Sequence, residues 1–177
     1  MNDKTPSSQG IKTYVSSLET VARDGSPAHV VFGRLHDAIA KVVPFKVLTV
    51  LKLDPATLRS VRLYSSEPSY PIGGTKQHVR SAWSAAILER KTVFVAHDLA
   101  ALRSTFPDSA AIEATGCGSI IAVPIVLDGA VVGTMNLWHS AGYYDEAKGL
   151  LIVPFANAIA RIVHTSEPKQ PQSTMGK

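Results

Sequence analysis

Residues 119–139 read SIIAVPIVLDGAVVGTMNLWH, two apolar runs joined by Asp128-Gly129, and no other stretch restricts the fold as strongly. Asp-Gly between runs rich in Val and Ile signals a two-residue hairpin, because a type I′ turn needs positive φ at both central residues. Both strands are apolar at odd and even positions alike, whereas a strand with one face in water alternates. Both faces of this sheet are therefore expected to be covered. Pro124 has no amide to donate, so its position must face away from a neighbouring strand or sit at a bulge. Thr134, Asn136 and Trp138 fall two apart, which puts them on one face of the second strand, with Gly133, Met135 and Leu137 on the other. A buried amide needs partners. For Asn136 the backbone of an overlying segment, water and a ligand all qualify, and Trp138 buries a large area as core or as ligand platform alike.

Helical and extended patterns surround the hairpin. Ile11, Tyr14, Val15, Leu18, Val21 and Ala22 predict an amphipathic helix over 11–23, which ends at Asp24-Gly25-Ser26-Pro27 and either folds back on the core or pairs with its copy in a dimer. A second helix is predicted over 28–43, stopped by Pro44. Residues 45–53 and 58–64 read as a hairpin about Asp54-Pro55-Ala56-Thr57. A loop over 65–75 then leads to a helix over 76–89 with Val79, Trp83, Ala86 and Ile87 on one face. A short strand over 93–96, broken helical turns over 97–115, and a last helix over 145–164 complete the order. Asp145-Glu146 suits that helix's amino end, and Pro154 should kink it. Strands joined by hairpins and bracketed by helices indicate an α+β domain on an antiparallel sheet.

A chain of 177 residues, 45% hydrophobic, suffices for one domain with tails. Residues 1–27 read as a tail and leading helix, 28–164 as the domain, and 165–177 as a disordered tail rich in Pro, Gln, Ser and Lys. No uncharged apolar run reaches about 18 residues, so no membrane span is expected. The start, MNDKTPSSQG, lacks a secretory pattern, and a cytoplasmic location is expected. The single cysteine, Cys117, excludes an internal disulfide framework. A net charge of +4 with no run of three bases and no basic residues interleaved with aromatics argues against nucleic acid.

With the lead-in Gly118, the stretch Ser119-Ile120-Ile121-Ala122-Val123-Pro124-Ile125, followed by Gly129-Ala130-Val131-Val132-Gly133-Thr134-Met135-Asn136-Leu137, resembles the carboxy-terminal hairpin of the GAF domain family. The resemblance spans about residues 28–164 and rests on the order of elements more than on one signature; two bracketing helices favour GAF over the related PAS fold. It implies a GAF-like, profilin-like six-stranded antiparallel sheet, with terminal helices on one face and a small-molecule pocket on the other, roofed by residues 97–115. If the apolar set meets the helices, Thr134, Asn136 and Trp138 floor that pocket. His97, Asp98, Phe106, Cys117 and Ser119 fall where its wall and roof would lie.

Each has a plainer role beside it. Asp98 is a preferred helix cap, and Cys117, between two glycines, has no base partner in the sequence. Trp83 reads as packing. Six histidines, at 29, 36, 78, 97, 139 and 164, include no pair at metal-ligand spacing. Gly73-Gly74-Thr75-Lys76 lacks the earlier glycine of a phosphate-binding loop and reads as a loop and helix start. Some GAF relatives are methionine sulfoxide reductases that use several cysteines, and one Cys cannot form the resolving intramolecular disulfide. Bilin-attachment and cyclic-nucleotide motifs are not matched, so no cofactor is identified. The expectation is a sensor module that binds a small organic molecule and acts through a homodimer or a separate signalling protein. A redox enzyme or a ligand-independent dimerisation module is the alternative.

Overall fold

The structure, a computed structural model, describes residues 6–106 and 109–167. The expected tail positions 1–5 and 168–177 lie outside the described residues. Six antiparallel strands form one sheet in the order β3-β2-β1-β6-β5-β4. They are β1 (Val47–Asp54), β2 (Arg59–Ser65), β3 (Thr75–Gln77), β4 (Phe94–Ala96), β5 (Ser119–Leu127) and β6 (Ala130–His139). The β5–β6 turn has φ of 48° at Asp128 and 78° at Gly129, the signs a type I′ turn demands. β4 pairs with β5 only as far as Ala122, so Pro124 lies past the end of that ladder. Gly133 is required where β6 crosses β1, because a β-carbon there would collide with the Leu51 carbonyl oxygen.

Helices α1 (Ser8–Arg23), α2 (Ala28–Ala40), α6 (Glu146–Ala158) and α7 (Ala160–Thr165) cover one face. Leu35, Ile39, Phe155 and Val163 meet Leu48, Val50, Ile121, Met135 and Leu137 there, all fully buried. The leading helix folds back on this core. It starts at Ser8, three residues before the apolar pattern begins, with Ser7 as its cap, and Leu18 is its one fully buried side chain. α2 ends at Ala40, before the predicted 43, because the chain tightens as it nears Pro44: Lys41 and Val42 donate to carbonyls three residues back, at 3.2 and 2.9 Å. Pro154 sits on the exposed side of α6, and the helix is interrupted later, at Ile159 with φ −98° and ψ 1°.

On the opposite face lie α3 (Ala82–Ser84), α4 (Leu99–Thr105) and α5 (Ser109–Glu113). Here the predicted helix over 76–89 is corrected. Thr75–Gln77 extends as an edge strand beside β2, with Arg59 opposite Gln77, and Val79 is 59% exposed. Ser81 and Ser84 form a capping box that starts the helix only at Ala82, and Ala85–Arg90 continues as a wide π turn closed by Lys91 at φ 55°. Among the described residues no helix is long and apolar enough to cross a membrane.

Candidate functional site

Strand alternation sends β6 side chains to both layers. Met135 and Leu137 join the helix core, while Thr134, Asn136 and Trp138 face the other way, into a cavity of about 60 Å³. Thr49 of β1 lies opposite Asn136 in the ladder, and Leu51 lies opposite Thr134 on one side and Arg62 of β2 on the other. These residues make the floor. Trp83 of α3, before β4, and Phe106 and Ile112, after it, close the cavity from above. Phe106, at the end of α4, is tilted against Trp138 with ring centroids 5.9 Å apart and edge-on to Phe94 at 6.1 Å.

The polar lining has two parts. On the floor, Asn136 Nδ2 donates to Thr49 Oγ1 at 3.3 Å and lies 3.5 Å from Thr134 Oγ1. Asn136 is 8% exposed, yet among the described residues its Oδ1 has no hydrogen-bond partner. A buried carbonyl oxygen without a donor costs about 1–3 kcal/mol. At the β2–β3 end stand Arg62, Lys76 and His78. Arg62 Nη1 donates to the Pro71 carbonyl at 2.9 Å, and Lys76 Nζ lies 4.8 Å from the Phe106 ring centre. His78 stacks on Trp83 at 4.2 Å and hydrogen-bonds Ser60 Oγ.

Of the eight residues singled out in the sequence, Thr134, Asn136, Trp138 and Phe106 come together on this cavity. The other four stand elsewhere. The Asp98 carboxylate accepts from Ala101 N–H at 2.9 Å and caps α4. His97 is exposed, with Nδ1 donating to the Tyr144 carbonyl at 2.7 Å. Ser119 is fully buried and donates to the Ser140 carbonyl at 2.7 Å. Cys117 packs in the core of the roofed layer; burial pushes its thiol up, against smaller opposing effects of Thr115 and Lys46. A thiol held protonated is a poor nucleophile. Among the described residues no three His, Cys, Asp or Glu side chains are grouped to hold a metal.

Arg62, Lys76, His78, Trp83 and Thr49 were not assigned to a site by the sequence. The signal available for Thr49 was a polar residue inside an apolar run, the same signal that marks Asn136. Lys76 and His78 had none, because a helical reading of 76–89 concealed their edge-strand position.

The sequence model of the GAF domain matches residues 26–164. The chain belongs to the GAF domain family. Solved structures share the architecture. A GAF domain from a phosphoenolpyruvate-protein phosphotransferase of Coxiella burnetii superposes with a TM-score of 0.71 at 12% identity, covering 90% of this chain and 96% of that one. Free methionine-R-sulfoxide reductase from Neisseria meningitidis, solved in complex with its substrate, gives 0.66 at 14% identity over 90% and 94%. The phycocyanobilin-bound GAF domain of a cyanobacterial phytochrome gives 0.68 at 11% identity over 87% and 93%. At these identities the likeness is one of fold. No curated protein matches the sequence.

Proposed function

We propose that this chain is a GAF sensor module that binds a small organic molecule between sheet and roof and passes the change to a second copy or to a separate signalling protein. The carrying observation is Asn136 Oδ1, buried on a cavity wall with no partner among the described residues. Folding alone gains nothing by leaving such a group unpaired, and a bound ligand that donates to it removes the cost. The domain over 28–164 carries the site, and α1 belongs to its helix face. β6 offers a route outward: Thr134, Asn136 and Trp138 line the cavity, and Met135 and Leu137 between them join the helix-face core. A cytoplasmic location agrees with the single buried Cys117.

A redox enzyme built on this fold has no support at Cys117, whose thiol is buried, held protonated and away from the cavity. The test is native mass spectrometry of freshly purified chain, followed by denaturation and identification of what is released. A stoichiometric small molecule is expected, with at least ten-fold less in Asn136→Leu. A chain that emerges empty, and whose melting temperature no metabolite raises, would overturn the reading and leave a dimerisation module.

A further inference from the structure

The sheet ladder fixes what surrounds the Asn136 amide. On the cavity face Asn136 lies between Thr49 of β1 and Ala122 of β5. In the next row Trp138 lies between Val47 and Ile120, and in the row before it Thr134 lies between Leu51 and Pro124. Strand alternation puts the three rows on one face, and none of these neighbours is ionisable. The two threonine hydroxyls take up the amide N–H groups, at 3.3 and 3.5 Å. Among the described residues nothing donates to Oδ1. A carbonyl oxygen only accepts, so the group that meets it carries an O–H or N–H.

The same surroundings decide the occupant's charge. An ionised group placed over this floor loses its water, and no neighbour in the three rows supplies an opposite charge. The bases of the lining stand at the β2–β3 end and are engaged there. Arg62 Nη1 donates to the Pro71 carbonyl at 2.9 Å, its guanidinium lies 5.1 Å from the Tyr70 ring centre, and a β-carbon at Gly74 would collide with it. The Arg62 head is thus seated in the 70–74 loop, away from Asn136. Lys76 lies over the Phe106 ring, and His78 is stacked on Trp83 and bonded to Ser60. These groups serve the cavity's own wall and add nothing to the recognition argued here. Among the described lining residues there is no Asp or Glu to hold a cation. A neutral occupant meets none of these obstacles. The volume of about 60 Å³ holds roughly five water-sized groups, at about 10–15 Å³ each. Val47, Leu51, Ile120 and the rings of Phe106 and Trp138 give the rest of the occupant apolar contact.

We infer that the cavity takes a neutral, mainly apolar molecule of about five non-hydrogen atoms that carries one O–H or N–H. A four-carbon alcohol and a five-membered N–H heterocycle are the simplest forms. This rests on the ligand-binding reading proposed above. The chain's two tryptophans, Trp83 and Trp138, both line the cavity, so tryptophan emission of the full chain reports occupancy. The experiment titrates dialysed protein with matched probes: 1-butanol, butanone, butyrate and butylammonium as chains, pyrrole and furan as rings. 1-Butanol should bind at least ten-fold more tightly than butanone, or pyrrole than furan, and the pair that shows the preference tells whether chain or ring fits. Butyrate and butylammonium should bind at least ten-fold more weakly than the preferred donor. Asn136→Leu should bring that donor and its matched partner within about two-fold of each other. Butanone and furan both matching their partners would overturn the class, since the amide would then present its N–H to the cavity. So would a charged probe that binds as tightly as the preferred donor. Silence from every probe, while purified chain releases a larger or charged molecule that Asn136→Leu does not retain, also overturns the class, and the sensor reading then stands. Silence together with an empty purified chain removes both. The wild-type series decides the class by itself, so a variant that fails to fold does not obscure the result.

Discussion

At Asn136 two energies oppose each other within one side chain. Its Nδ2 gains bonds of 3.3 and 3.5 Å to two threonine hydroxyls, while its Oδ1 is stripped of water with nothing in return. The first is worth about 0.5–1.5 kcal/mol and the second costs about 1–3 kcal/mol. Asn136→Leu should therefore leave the ligand-free chain within about 1 kcal/mol of wild type, or slightly more stable, while abolishing binding. Urea denaturation of dialysed protein checks this, and a loss above about 2 kcal/mol would make the amide a structural tie instead. Thr134 and Asn136 were legible because polar residues inside an otherwise apolar hairpin strand have few reasons to be there. Arg62 was not, since a base on a half-exposed strand looks the same in sequence whether it faces water or a cavity.

At the scale of elements, what was read from the sequence depended on whether a segment's partner was local. The β5–β6 hairpin closes through its own two-residue turn, which pairs Leu127 with Ala130 and Val126 with Val131, and an irregularity then shifts the ladder by one residue so that Ile125 faces Gly133. β3 is three residues long and exists only because Arg59, Ser60 and Val61 offer it a ladder, information absent from 75–77 itself. Val79, Trp83, Ala86 and Ile87 do fall at helical spacing, but the first is exposed and the helix starts after it. α1 shows the opposite case, where periodicity found the helix and only packing could say what its stripe meets. Leu18 is 2% exposed in the helix-face core, so α1 is an integral layer here. Leu18→Ala should cost about 2–5 kcal/mol, read as a shift in the midpoint of chemical denaturation with unchanged slope. A cost under about 0.5 kcal/mol, the range of surface substitutions, would mean that α1 is detached in solution.

At the scale of the molecule, Tyr144 ties the layers together where the sheet meets the helices. It follows β6, precedes α6, and donates from its hydroxyl to the Pro44 carbonyl at 2.9 Å across 100 positions of chain. It is 1% exposed, and burial, with smaller effects of Tyr143 and Cys117, pushes its hydroxyl well above the ordinary value of 10.0. The sign of the pH effect follows. A group whose pKa is raised by folding gives stability that is fully present below its unfolded pKa and is lost as pH rises toward the folded one. For Tyr144 the loss begins near pH 10 and grows by about 1.4 kcal/mol per pH unit, because the unfolded chain ionises and the folded one does not. Tyr144→Phe lacks that titration and also lacks the bond to Pro44, worth about 0.5–1.5 kcal/mol. Wild type should therefore exceed the variant by about 1 kcal/mol in urea denaturation at pH 7.5. By pH 11 that advantage should vanish or reverse. An advantage that stays constant over this range would show that the hydroxyl reaches solvent, and with it that the junction of sheet and helices is open rather than sealed.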